Sequence, residues 1–369
     1  MQWTVLSDNR NNDIRLCTEH GLSILLTTER HKILLDTGAS DVFIRNAEQL
    51  DVNLSDVDYV FISHGHSDHA GGLRYILEHN QKAQVIVSPY AMSGKFFSKR
   101  GNLHSITAEL PEIDDDRLVL IDQTCDVAEG IHVIAHIPQI HPMPKGNQNL
   151  FVKPNEQNEA CFNSVMARKG RKKSNLYVQD ANGSYIHDDF RHELALYVEG
   201  LLFTGCAHSG LENILSACPW PVHSVVGGFH LLDGMEPEEE IQVLAQRLKS
   251  NYPETQFYTS HCTGDHVFEV MKDVMGEQLQ AFRCGTMDAA IKYAAHLRQG
   301  QEEVPRALSA ARLGRGRDGL EQSGPRQPHH GQPDCRGKGD RCFSSKTQES
   351  PESLYPSGDF PQYLRKTVK

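Results

Sequence analysis

One ten-residue stretch constrains this chain more than any other: Ser63-His64-Gly65-His66-Ser67-Asp68-His69-Ala70-Gly71-Gly72, set directly after the apolar run 57–62. That run reads as a buried strand, and the stretch after it as a tight loop opening a helix over 72–79. Three imidazoles and a carboxylate within six residues form a donor set that zinc accepts at about 2.0–2.2 Å. His64 and His66, at alternate positions, can aim at one point, while Asp68 and His69, a turn later, aim at a neighbouring one. Gly65, Gly71 and Gly72 permit the tight backbone such a loop needs. A merely solvated polar turn would have no counterparts elsewhere, yet two segments repeat the design. Residues 201–210 run strand, loop, helix with Cys206 and His208 at the tip, and residues 257–264 place His261 at a strand end. Sites in layered α/β folds collect where strand ends meet loops. The three loops together point to one metal centre.

Short apolar runs alternate with helical patterns around these loops. Strands are expected at 3–7, 22–27, 32–36, 57–62, 84–88, 117–121, 132–137, 194–198, 201–204, 222–226 and 256–259. Helices are expected at 39–50, 72–79, 210–218, 237–250, 266–275 and 288–298. Pro237 followed by three glutamates suits a helix N-terminus, where carboxylates meet the positive end of the dipole. Early strands run back to back and later ones alternate with helices, which predicts α/β layers rather than a doubly wound parallel sheet.

Composition changes near residue 300. Residues 300–369 hold 12 Lys+Arg against 9 Asp+Glu, so the first 299 hold 25 against 39, a net −14 within the chain's −11. The last segment is rich in Gly, Pro, Ser, Gln and Arg and lacks apolar periodicity, a composition that cannot offset backbone entropy by burial. The expectation is one folded domain, 1–298, and a disordered tail, 299–369. Its His329-His330, Cys335 and Cys342 match no zinc spacing. No window approaches the ~18 apolar residues of a membrane span, and residues 1–15 lack a signal peptide's basic start and apolar run. The nine cysteines have no framework spacing and read as reduced thiols of a cytoplasmic protein. The acidic balance argues against nucleic acid as a partner, no membrane partner is expected, and no oligomeric state is read.

The motif His64-x-His66-x-Asp68-His69 resembles the signature of the metallo-β-lactamase superfamily, as does the upstream Leu34-Leu35-Asp36-Thr37-Gly38. The resemblance implies an αββα four-layer sandwich with one or two metals at the sheet edge, Asp36 supporting the histidine loop from behind. Residues 19–23, 204–208, 227–231 and 261–264 are similar to one branch, named after the dihydropterin ribofuranosylaminobenzene 5′-phosphate synthase of methanopterin biosynthesis. The match covers about 1–290. Two departures stand out. The superfamily's usual bridging Asp is Cys206 here, so either the thiolate takes that place or His208 supplies the ligand, and His208 is favoured for its reach. The usual third histidine has no clean match. His136 occupies the comparable stretch, as an extra ligand or a pocket residue.

The resemblance assigns His64, His66 and His208 to a first metal and Asp68, His69 and His261 to a second. One or two Zn2+ are expected, with Mn2+ or Fe2+ as alternatives. Two such ions about 3.5–4 Å apart lower the pKa of a shared water and neutralise charge on a reacting oxygen. Asp68 would also hydrogen-bond that water, and His230 would donate to a substrate oxyanion. The expected activity is hydrolysis, or transfer with diphosphate release, on a small anionic or phosphorylated substrate. An iron-dependent redox member of the same fold and a non-catalytic metal-stabilised binding protein are the alternatives. His20 is read as bonding a backbone group or lining the pocket. His187, His192, His223 and His266 are read as structural or exposed. Asp188, Asp189 and Glu193 pin the loop that carries the site, orient a substrate amine, or are merely solvated. The basic run Arg168–Lys173 is a solvated loop or an anion-steering patch.

Overall fold

Seven strands pair into each of two sheets in a computed structural model that describes residues 1–154, 177–180 and 183–289. The expected tail 299–369 and the run Arg168–Lys173 lie outside the described residues. The first sheet has the order Met287–Ala289, Gln2–Ser7, Ser23–Thr27, Lys32–Leu35, Tyr59–Phe61, Gln84–Val87, Leu118–Leu120. Its first four strands are antiparallel and its last four parallel. The second sheet mirrors this plan: Leu279–Ala281, Gln256–Thr259, Ser224–Val226 and Leu201–Phe203 are parallel, then Ala195–Val198, Ile131–Ile134 and Cys125–Ala128 are antiparallel.

The inner parallel strands carry apolar residues on both faces because both faces are covered. Trp3, Ile24, Phe61, Leu196, Phe203 and Phe282 fill the space between the sheets. The outer face of the first sheet packs on helices Val42–Gln49 and Leu73–His79 through Leu34, Phe43, Val60 and Ile76. The outer face of the second packs on Leu211–Ala217, Glu238–Asn251 and Asp265–Met275 through Leu202, Ile214, Leu248 and Met271. These are the four αββα layers. Pro237 precedes the long helix and Glu238, Glu239 and Glu240 fill its first turn, as the dipole favours.

One expected element is replaced. The helix expected over 288–298 gives way at its start to the strand Met287–Ala289, which pairs with Gln2–Thr4, and its remainder lies outside the described residues. The open edge of Gln2–Ser7 offers unpaired backbone groups, and three residues of extended chain satisfy them. A third, five-stranded antiparallel sheet was not anticipated: Tyr177–Asp180, Gly183–His187, Leu150–Val152, Phe96–Ser98, His104–Ser105. Its strands are short, and the central strand Leu150–Val152 joins two hairpins by pairings far apart in sequence, such as Phe97 with Phe151. Among the described residues no helix is long and apolar enough to cross a membrane.

Candidate metal centre

The loops that follow the parallel strands of both sheets meet at one edge. Strand Lys32–Leu35 leads to Asp36, Tyr59–Phe61 to His64 and His66, Leu201–Phe203 to Cys206 and His208, Ser224–Val226 to His230, and Gln256–Thr259 to His261. Asp36, Ala207, His230 and His261 have positive φ, between 51° and 56°. Strain of that kind, about 1–3 kcal/mol each, persists only where the surroundings over-determine the backbone.

His64, His66 and His208 form a near-equilateral triangle, with ring centroids 4.6, 4.9 and 4.9 Å apart. All three are buried, and the Nε2 atom of each has no hydrogen-bond partner. Their other nitrogens explain why. Ser63 Oγ lies 2.7 Å from Asp36 Oδ2, to which it donates, and 2.8 Å from His64 Nδ1. His64 Nδ1–H therefore donates to Ser63, leaving a lone pair on Nε2. Asn147 Nδ2 donates to the His208 carbonyl, which turns its Oδ1 to accept from His208 Nδ1 at 3.2 Å. Burial pushes all three imidazoles below their usual range, with neighbouring histidines adding to it, and His66 falls to about 3. At neutral pH they are bare bases facing one another.

A second group adjoins the first. His69 Nδ1 meets Asp36 Oδ2 at 2.6 Å, and His261 Nδ1 meets Asn9 Oδ1 at 3.1 Å while Asn9 Nδ2 donates to the His261 carbonyl. Both rings thus turn Nε2 inward, and those nitrogens lie only 3.0 Å apart. Two bare lone pairs at that distance repel unless a cation or a proton lies between them. Asp68 Oδ2 stands 3.3 Å from His261 Nε2 and 3.7 Å from His69 Nε2. Burial disfavours charge on both Asp68 and His261, yet the pairing prevails. Asp68 is held well below the carboxylate range, and His261 is raised to about 9. Cys206 Sγ, 3.0 Å from His69 Nε2, comes within 4.8 Å of the donors of both groups. The alternatives weighed for this position are thus both present, with His208 in the first triangle and the Cys206 thiol between the two sets. Burial pushes the Cys206 thiol up, whereas buried Cys262 is drawn down by hydrogen bonds from Cys206 and His230.

The chain brings together His64, His66, Asp68, His69, His208 and His261. His230 lies at the wall, its ring 4.1 Å from that of His208. Its Nε2 accepts from Arg100 Nη2 at 3.2 Å, and its Nδ1 is buried without a partner. His136 is not brought in; it is exposed, bonded to Gln123, and lines a neighbouring cavity with Tyr90 and Arg191. His20 accepts from Asn9 through Nδ1 and reaches Asp68 Oδ2 through Nε2 at 3.3 Å. His192 is buried behind the triangle, its Nδ1 accepting from Gly65 N and its Nε2 against Asp188, so neither nitrogen is free for a metal. Asp188 also receives Phe190 N, and Asp189 pairs with Arg191, so both acids pin their own loop.

Of the acids in the run 188–193, Glu193 pins the loop that carries the site, taking the His208 and Ser209 amides at 2.7 Å each. Sequence reasoning missed Asn147, Asn9 and Asp8, the last of which takes the His261 amide at 3.0 Å; all three sit in segments without any signal.

Residues 18–144 match the family described as the metallo-beta-lactamase superfamily. Over 303 residues the chain is 25% identical to the 7,8-dihydropterin-6-methyl-4-(β-D-ribofuranosyl)-aminobenzene-5′-phosphate synthase of Methanocaldococcus jannaschii, spanning 77% of this chain and 94% of that protein. It is also 25% identical, over 219 residues, to an uncharacterised protein of the same organism, covering 58% of this chain and 73% of that one. A solved metal-dependent hydrolase of the β-lactamase superfamily superposes with a TM-score of 0.59 at 24% identity, covering 78% of this chain and 98% of that one. Residues 18–144 thus match the metallo-β-lactamase superfamily, and the chain has the fold of that solved structure. Within that superfamily it resembles the synthase branch, through the motifs at 19–23, 204–208, 227–231 and 261–264.

Proposed function

We propose that this chain is a metal-dependent enzyme that hydrolyses a small anionic substrate or transfers a group from it, through a two-metal centre. The observation that carries the reading is the set of orphaned Nε2 atoms on His64, His66 and His208. A buried polar atom without a partner costs free energy, and three of them facing one another fit a divalent cation. His64, His66 and His208 would hold one ion and Asp68, His69 and His261 the other, with Cys206 in reach of both. Zinc suits these imidazole, carboxylate and thiol donors, and Mn2+ or Fe2+ are the alternatives. When bound, the metals supply an activated water or neutralise charge on a diphosphate leaving group.

The chain's own residues do the rest. Asp36, Asn147 and Asn9 fix the tautomers of His69, His208 and His261, an orienting role that raises ligand affinity. Asp68, ionised at neutral pH, accepts a hydrogen bond from an attacking water and so orients it. His230, with Arg100 against it, stands where negative charge on a reacting oxygen would be met. The named relative is a synthase, and its branch resemblance favours transfer with diphosphate release as much as hydrolysis.

Elemental analysis of the purified protein, with a panel of phosphoesters, lactones and thioesters, tests the reading. One to two equivalents of bound metal and a turnover abolished in His64→Ala are expected. Less than one metal per chain, or wild-type turnover in His66→Ala, would overturn it.

A further inference from the structure

The pocket over the centre holds about 140 Å³ and is lined by His66, Asp68, Cys206, His208 and His230 on the metal side. Whole-ligand pockets run to about 300–1,000 Å³, so this one admits a head group and leaves the body of a substrate outside. Its mouth is formed by the hairpin of strands Phe96–Ser98 and His104–Ser105, which contributes Ser98, Arg100 and His104. Among the lining residues Arg100 is the one permanent cation and Asp68 the one carboxylate.

Among the described residues Arg10, Arg15, Arg30, Arg45, Arg191 and Arg247 each pair with a carboxylate. Arg74 and Arg117 do not, but the first bonds Tyr75 and the second the carbonyls of Asn80 and Ala83. Arg100 also has no carboxylate within 4 Å among the described residues, in a domain where carboxylates outnumber cations, and of these arginines it is the one that lines the pocket over the centre. Its guanidinium makes one hydrogen bond among the described residues, from Nη2 to His230 Nε2, which holds it at the pocket and leaves Nε and Nη1 able to donate to a ligand. The hairpin beneath it is sewn to the metal loop. A Cβ on Gly65 would lie 2.4 Å from the Phe96 ring, His66 bridges Thr107, and Ala108 N donates to Gly65 O at 3.1 Å. Packing therefore sets the hairpin relative to His64 and His66, and the bond to His230 sets the exposed Arg100 side chain on it.

We propose that Arg100 binds the terminal oxyanion group of the substrate at the mouth of the metal pocket, an inference that rests on the centre's being the catalytic site. A planar guanidinium matches the oxygens of a phosphoryl or carboxylate group, whose shared chemistry is two or more charged acceptors on one centre. Arg100 is a specificity-determining residue: it selects which molecules present their reacting group to the centre.

Calorimetric titration with inorganic phosphate and, separately, acetate tests this on the full chain, both metal-loaded and after chelation, with metal content measured in parallel. The expected result is unchanged metal content in Arg100→Ala, at least one anion bound about tenfold more weakly than by the wild type, and partial recovery in Arg100→Lys. The anion that loses affinity identifies the group, phosphoryl or carboxylate. Equal affinity of wild type and Arg100→Ala for both anions overturns the proposal and leaves the metal centre standing. A wild type that holds no metal yet binds an anion through Arg100 overturns the centre and leaves the oxyanion site standing.

Discussion

Each inward-facing imidazole of the centre is defined by what its other nitrogen touches. Asp36 shows this best, since one buried carboxylate accepts from Ser63 N, Ser63 Oγ and His69 Nδ1 and so orients donors of both groups. Asp36→Asn keeps the shape but turns an acceptor into a donor. Metal affinity, read by competition with a chromophoric chelator, is expected to fall about 10- to 100-fold, with the fold retained by circular dichroism. Asn147→Ala frees the His208 ring, and a loss of similar size is expected, confined to the first metal equivalent. The donors themselves were legible in the sequence because His-x-His-x-Asp-His is dense and local. Asn147 and Asn9 were not, because an asparagine in a loop carries no pattern until the fold sets it against a histidine. His192, expected to be structural or exposed, is structural: it is buried against His64 and His66, and its two nitrogens are engaged by Gly65 and Asp188.

At the scale of elements, the loops after parallel strands carry the site and the hairpin 96–105 closes over it. The close approach of Gly65 to Phe96 joins the two. Gly65→Ala would overpack that contact at a cost of about 1–3 kcal/mol, visible as a lower urea midpoint, and would displace the hairpin that carries Arg100. The turn at Cys284 fastens the end of the second sheet to the start of the first, its Sγ accepting from Asp8 N at 3.0 Å. Burial, with the charge of Asp8, pushes this thiol from 9.0 up to about 12. Below pH 9 it is neutral folded or unfolded. Above that the unfolded chain releases a proton the fold retains, so stability falls as pH rises from about 9 toward 12. Cys284→Ala should flatten that alkaline limb in denaturation curves taken across the range. The expected strands and most helices were found because their apolar periods are strong. The third sheet escaped because its strands are short and its two hairpins are joined through Leu150–Val152, whose pairings reach Phe97 and His187 far along the chain, and the helix expected from Asp288 begins as a strand because a free sheet edge outweighs local propensity.

For the whole molecule, metal and fold are coupled through mass action: a metal at a hundredfold its Kd adds about 2.7 kcal/mol. Chelation should lower the melting temperature of the wild type and leave that of His64→Ala nearly unchanged, as scanning calorimetry would read. We also propose that residues 1–298 hold the complete centre, in which case a chain ending at Arg298 keeps the metal content of the full one. The sequence by itself determined the layered α/β class and the dense donor loop His64–His69, and it carried the resemblance that named six candidate ligands. The class and the loop follow from short-range information: apolar periods of two and 3.6 residues, and donors spaced closely enough to share a cation. Only the tertiary structure decided that Cys206 and His208 both face the centre, that His136 stays out of it, and that Arg100 stands at its mouth. Those placements depend on contacts between segments tens to hundreds of residues apart, which packing of two sheets and a hairpin creates and no local pattern encodes.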